Sequence, residues 1–168
     1  MRKILFIIPF ILFSCWPSSI SFIDSGSMPA EWKSFSVQTL ELVAANAPIS
    51  YAPNLTESIK DGVQNNTRLF LNTTQSQGEI NIEGEVINYA VTPIAVQPGD
   101  NAAKNRLTVT VNLTIFISKP EEDKMVMTSS RFADFNTDED FSSRENELIE
   151  EINQQIVQDV INKLFSNW

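Results

Sequence analysis

The sequence predicts an α+β fold, a two-layer sandwich in which two helices pack on a mainly antiparallel or mixed sheet of about four strands. Three observations predict it. Arg106 to Ser118 alternates, with Leu107, Val109, Val111, Leu113, Ile115 and Ile117 on one side and Thr108, Thr110, Asn112 and Thr114 on the other, as a strand with one buried face must. Near the C-terminus Leu148, Ile149, Ile152, Ile156, Val157, Val160, Ile161, Leu164 and Phe165 recur at three- and four-residue spacing, which lays one apolar stripe along a helix. Between an earlier short helix and this one, several strand-like stretches follow one another without a helical interruption, the order of an α+β sandwich.

Taken in order, Ser34 to Val43 reads as a strand with a phase shift, closed by Pro48 and Pro53. Asn54 then stands where a helix cap is expected, with Glu57 three residues on, and Leu55, Ile59 and Val63 mark a stripe running to about Asn66,. Arg68 to Thr73 reads as a short strand. Glu79 to Val91 is a longer one in which Ile80, Ile82 and Val86 share a parity before Ile87, Tyr89 and Val91 take the other, so a bulge or strong twist is expected near Val86. Lys119 to Lys124 is a charged turn, Met125 to Phe135 the returning strand, and Ser142 with Glu145 a capping box for the last helix, whose polar face carries Glu147, Glu150, Glu151, Gln154, Gln155 and Asp159,. No internal repeat is present.

The N-terminus has a different character. Arg2 and Lys3 precede an uncharged run of ten residues, Ile4 to Phe13, too short to span a bilayer and of the length of a signal-peptide core. It ends Leu12-Phe13-Ser14-Cys15, which resembles the bacterial lipoprotein box. That reading makes residues 1–14 a lipoprotein signal peptide, makes Cys15 the lipidated first residue of the mature chain, and makes 15–31, with Pro17, Gly26 and Pro29, a tether and leading loop ahead of one domain over 32–168. An ordinary secretory signal with a coincidental cysteine is the alternative. A lone cysteine forms no internal disulfide, so an exported fold of this sequence stands without one. Several acyl chains on Cys15 would anchor the protein at a membrane facing an aqueous compartment.

Composition narrows the function. The chain holds no histidine, which removes the commonest general base, the commonest zinc ligand and the Ser-His and Cys-His nucleophile pairs. The net charge of −9 and pI of about 4.4 argue against a nucleic-acid partner. Glu121 to Asp123 and Asp138 to Asp140 lack the spacing of a calcium loop and read as solvated turns,. No Gly-rich phosphate loop follows a strand. The sequence therefore reads as a non-enzymatic binding or assembly module with no cofactor and no metal.

In a chain short of cations, Lys104, Arg106 and Arg131 stand at or within strands. Singly they read as surface charge or ion pairs; gathered at one sheet end they would bind phosphate by charge-assisted hydrogen bonds. Pairing about the turn near Pro120 would set Arg106 opposite about residue 136 and Arg131 opposite about residue 111, roughly 16 Å apart along the ladder. That separation would serve two well-separated phosphates better than one.

The chain as a whole resembles the lipopolysaccharide-assembly lipoprotein family LptE. The resemblance runs through Leu12 to Cys15, Ser25-Gly26-Ser27-Met28-Pro29, Asn65-Asn66-Thr67-Arg68-Leu69, Glu83-Gly84-Glu85-Val86, Tyr89 to Pro93, Asn105-Arg106-Leu107-Thr108, Arg131-Phe132-Ala133-Asp134-Phe135 and the helix from Leu148 to the C-terminus. It implies an outer-membrane lipoprotein inserted in the lumen of a large β-barrel lipopolysaccharide translocon of the LptD type, as plug and assembly factor. It further implies direct lipopolysaccharide contact, for which Lys104, Arg106 and Arg131 are the candidates. The alternatives are a surface-exposed or periplasmic module for carbohydrate or lipid without a barrel partner; a lipid carrier would need an enclosed apolar cavity between sheet and helices.

Overall fold

The computed structural model describes residues 28–74, 76–94 and 103–166; Cys15 and residues 1–14, read from the sequence as a signal peptide, lie outside them. Two helices, α1 (Tyr51–Asn66) and α2 (Phe141–Phe165), cover one face of a six-stranded mixed sheet. Its strands are β1 (Ser34–Val37), β2 (Glu41–Leu42), β3 (Phe70–Leu71), β4 (Ile80–Ile94), β5 (Lys104–Ile117) and β6 (Asp123–Asn136), ordered β3-β1-β4-β5-β6 with β2 also beside β4. The α+β sandwich and the mixed sheet are as the sequence predicts, and the strand number exceeds the four expected.

β3 falls within the short strand read at Arg68 to Thr73, and the further strand, β2, has a local cause. The stretch read as one strand breaks at Gln38–Leu40, where Leu40 turns into the core and its N–H donates to Thr56 Oγ1 at 3.0 Å on α1. The chain returns to the sheet as β2, parallel to β4 with Leu42 opposite Val86. β1 is parallel to β3 and to β4, and α1 supplies the crossover that parallel pairing of β1 with β3 needs.

The three long strands form an antiparallel meander. β4 opposes β5 from Ile80 at Ile117 to Ile94 at Lys104, and its register shifts between Val86 and Asn88. Ile87 is the extra residue of that bulge, and it moves Tyr89 onto the helix side that Val86 occupies,. β5 opposes β6 without a break, from Lys104 at Asn136 to Ile117 at Asp123. Gly84 is required where β4 meets β5, because a Cβ there would lie 2.3 Å from the Asn112 carbonyl oxygen and 2.6 Å from Leu113 Cδ2.

The core lies between the sheet and the helices. Leu107, Val109, Val111, Leu113 and Ile115 of β5 meet Leu55, Ile59 and Val63 of α1 and Ile152, Ile156, Val160 and Leu164 of α2, all with no exposed surface. Met28 also packs into this core, and Trp32 is anchored by Nε1–H donating to the Lys119 carbonyl at 2.8 Å. Two buried phenols tie the layers together. Tyr51 donates to Asn153 Oδ1 at 2.8 Å and Tyr89 to Glu145 Oε1 at 2.6 Å, with the two rings edge to face at 5.5 Å. Burial pushes both phenols well above the ordinary tyrosine range, and for Tyr89 the Glu145 carboxylate adds to it, so both remain donors at any physiological pH.

Both helix starts differ from the sequence reading. α1 begins at Tyr51, with Asn54 inside its first turn and Ser50 at the cap position without a side-chain bond. Pro53 does not stop the helix because the first-turn N–H groups have no intrahelical partner to lose. α2 begins at Phe141 after Asp140. Ser142 bonds to the Asp140 carboxylate and Glu145 is taken by Tyr89, so the Ser142–Glu145 box is not formed.

Candidate functional site

The three strand cations are placed by strand parity. Arg106 alternates with Leu107, which faces the helices, so it points to the outer side of the sheet. There it stands opposite Asp134 and donates to both carboxylate oxygens, Nε–H to Oδ1 at 2.7 Å and an Nη2–H to Oδ2 at 2.9 Å. Its guanidinium lies over the Phe132 ring, 3.6 Å from the centroid. Lys104 is exposed two positions away on the same side. The Arg106 hydrogen bonds, more than the charge of Lys104 nearby, hold the Asp134 carboxyl below the usual range.

Arg131 faces the other way. It stands opposite Val109, a core residue, and its guanidinium makes a bidentate pair with Asp159 of α2, with Nε–H donating at 2.7 Å. Ser129 donates to the same carboxylate. Burial alone would raise the Asp159 pKa, but the bonds from Arg131 and Ser129 outweigh it and the group lies below its ordinary value.

Arg106 and Arg131 are thus on neighbouring strands as expected, but they do not form one patch. The register sets Arg131 opposite residue 109 and Arg106 opposite residue 134, about two residues tighter than expected from the turn, so the spacing along the ladder shrinks to roughly 10 Å. The decisive fact is parity, which puts the two guanidiniums on opposite faces of the sheet, each with its own carboxylate. Asp134 and Asp159 are the partners that sequence reasoning missed. The signal for Arg106–Asp134 was available, because an outward residue on one strand of a tight hairpin meets an outward residue on the next; that for Asp159 was not, because it needs the crossing of α2 over β6.

No helix among the described residues covers the outer face of the meander. That face is a ladder of hydroxyl and amide groups, with Thr110 and Ser130 Oγ atoms 2.9 Å apart and Thr128 donating to Asn112 Oδ1 at 2.8 Å. Phe116, Val126 and Phe132 are exposed among them. Where β1 leaves β4, a shallow hollow of about 270 Å³ gathers Glu41, Glu83 and Glu85. On the opposite side a larger open groove of about 690 Å³ runs between the helices, lined by Asn54, Ser58, Asn66, Gln154 and Gln158 among others. Among the described residues no cluster of three or more acidic, Cys or His side chains has metal-binding geometry, and no helix is long and apolar enough to cross a membrane. The space between sheet and helices that a lipid carrier would keep hollow is filled by the Leu, Ile and Val side chains named above.

A family model described as LptE, lipopolysaccharide-assembly, matches residues 37–164. The chain belongs to the LptE family. The match runs from the end of β1 to the last turn of α2, so it contains all three strand cations and the whole meander. LptE proteins are non-enzymatic lipoproteins associated with the outer membrane, with a role in lipopolysaccharide assembly, and the chain is assigned that broad role. No curated protein matches it. Among solved structures, a minor lipoprotein from Acinetobacter baumannii shares the fold at 15% identity and a TM-score of 0.52, over 83% of this chain and 95% of that one. A hypothetical protein from Chlamydia trachomatis does so at 10% identity and 0.56, over 81% and 99%. A Xanthomonas campestris protein matches at 9% and 0.51, over 79% and 86%. At such identities the likeness is of fold alone.

Proposed function

We propose that the mature chain is anchored to the outer membrane through acylated Cys15 and sits in the lumen of an LptD-type β-barrel, as plug and assembly factor for lipopolysaccharide export. LptE membership across the whole meander carries this reading. The uncovered outer face supports it physically. A wall of Thr, Ser and Asn with isolated exposed Phe and Val side chains has the mixed polarity and hydrogen-bonding capacity of a wet protein–protein interface, and suits the polar interior of a large barrel. Lipopolysaccharide contact is assigned to Lys104 and Arg106, which share the outer face, with any phosphate at Arg106 competing against Asp134. Arg131 is assigned to bracing β6 against α2.

Affinity-tagged full chain, extracted from native outer membranes in mild detergent, should bring down one barrel in comparable amount, because a plug buries on the order of 2,000 Å² or more. Recovery of the tagged chain alone overturns the plug. The amide-lined groove between α1 and α2 would then favour the second reading, a carbohydrate-binding lipoprotein, checked by glycan binding to Gln154→Ala and Gln158→Ala variants.

A further inference from the structure

The two edges of the sheet are unlike. On one side β1 is interrupted and β3 is only two residues long, which blunts the edge. On the other, β6 runs for 14 residues in one unbroken register, with neither Pro nor Gly nor bulge, and its outward backbone pairs with no strand of the described residues. A long regular edge invites another strand unless charges guard it. Here the guards are answered within reach. Arg131, which points inward, is neutralised by Asp159. Lys124 makes no ion pair among the described residues, its Nζ resting 5.8 Å from the Phe116 centroid.

The side chains on the outer side of this edge read Lys124, Val126, Thr128, Ser130, Phe132, Asp134. The series is complementary to itself when reversed. We propose that, free of a barrel, two copies of the chain join β6 to β6, antiparallel about a two-fold axis at Ser129, with Lys124 opposite Asp134, Val126 opposite Phe132 and Thr128 opposite Ser130. An axis perpendicular to the sheet keeps outer faces together and allows shifts only in steps of two. One step either way sets Lys124 against Phe132, or Val126 against Asp134 and Thr128 against Phe132, and loses the matching. In the complementary register each rung joins opposite charges, two apolar groups or two hydroxyls, the pairs that stabilise neighbouring strands, and each occurs twice by symmetry. Val126 and Phe132 are 59% and 46% exposed and gain cover. On the helix side Met125 would meet Ala133, and Met127 the stem of Arg131. Asp134 keeps its Arg106 bonds and gains the copy's Lys124. Six strands become a continuous sheet of twelve. One strand pair is a small interface, in the transient class below about 1,200 Å², so the dimer should be concentration dependent.

The inference rests on β6 alone and not on the barrel reading. The test is sedimentation equilibrium of the full chain, purified free of other proteins in excess detergent, over a wide concentration series. Wild type should show a monomer–dimer equilibrium. Lys124→Asp and Asp134→Lys should each be monomeric, since each puts like charges on both outer rungs. Mixed one to one they should form a heterodimer, because both rungs then join opposite charges. Val126→Lys should also be monomeric with the Arg106–Asp134 pair intact, which covers the case in which Asp134→Lys melts below wild type. Wild type monomeric throughout, dimers that survive Val126→Lys, or a mixture that stays monomeric when both variants melt like wild type overturns the proposal. Co-purification with a barrel is read separately, so the failure of either idea leaves the other standing.

Discussion

Asp159 sits where α2 crosses β6 and accepts from both Arg131 and Ser129. Hydrogen bonds to a charged group contribute about 1.5 to 3 kcal/mol when well shielded, and solvent reduces that here because the Arg131 side chain is 43% exposed,. Asp159→Asn should therefore cost about 1 to 2 kcal/mol at neutral pH. The folded-state pKa lies below the unfolded one, near 3.9, so this contribution is fully present above about pH 4 and is lost as the pH falls through the folded value,. Denaturant melts of wild type and Asp159→Asn should differ by a constant amount from neutrality down to about pH 4 and converge below it. A difference that widens on acidification would mean the pair is held by something other than the ionised carboxylate. On the outer face, Lys104→Glu with Arg106→Glu should weaken lipopolysaccharide binding at low salt, whereas Arg131→Met should leave binding unchanged and lower stability. Equal binding losses in the two variants would show that parity does not decide the role.

The helices meet at Gly62, where a Cβ would fall 2.1 Å from Val157 Cγ1. Alanine gains about 1 kcal/mol over glycine in helix propensity, but overpacking costs about 1 to 3 kcal/mol, and a β-branched valine has little rotamer freedom with which to step aside. Gly62→Ala should destabilise the chain in wild type and stabilise it in a Val157→Ala background; thermal melts of the four combinations read the coupling. Deep in the stripe, Ile156→Ala should cost about 2 to 5 kcal/mol and the exposed Gln154→Ala almost nothing. At this scale much of the fold was legible. β5 announces itself because six apolar side chains of one parity serve one buried face, and the parity change after Val86 is the bulge at Ile87. The helix caps were less legible, because Pro53 tolerates a first turn as readily as it ends a loop, and Glu145 has a partner on β4 that local sequence does not contain. The two-residue strand β2 carries too few side chains to show any period and exists only because β4 offers an edge, whereas β3, which pairs with β1, lies within the short strand read at Arg68 to Thr73.

At the scale of the whole molecule, the proposed lipid anchor and the packed core call for separate tests. The core from Met28 to Leu164 is closed by apolar packing, by two buried tyrosine hydrogen bonds and by the hold of Trp32 on the β5–β6 turn. Cys15, the only cysteine, lies ahead of that core, and no disulfide can contribute to it. What lipidation would add is membrane affinity, since each buried CH₂ contributes about 0.8 kcal/mol and several chains together anchor stably. Lipidation at Cys15 was read from four residues of sequence, and chemistry on the cell, not packing, is what tests it. Cys15→Ala should therefore lose metabolic fatty-acid label and partition into the aqueous phase on detergent phase separation, or be retained with its signal uncleaved. Its isolated domain should melt within a degree or two of wild type. Equal label in wild type and Cys15→Ala would refute the anchor, and a large loss of thermal stability in a correctly processed variant would mean that the lipid belongs to the fold.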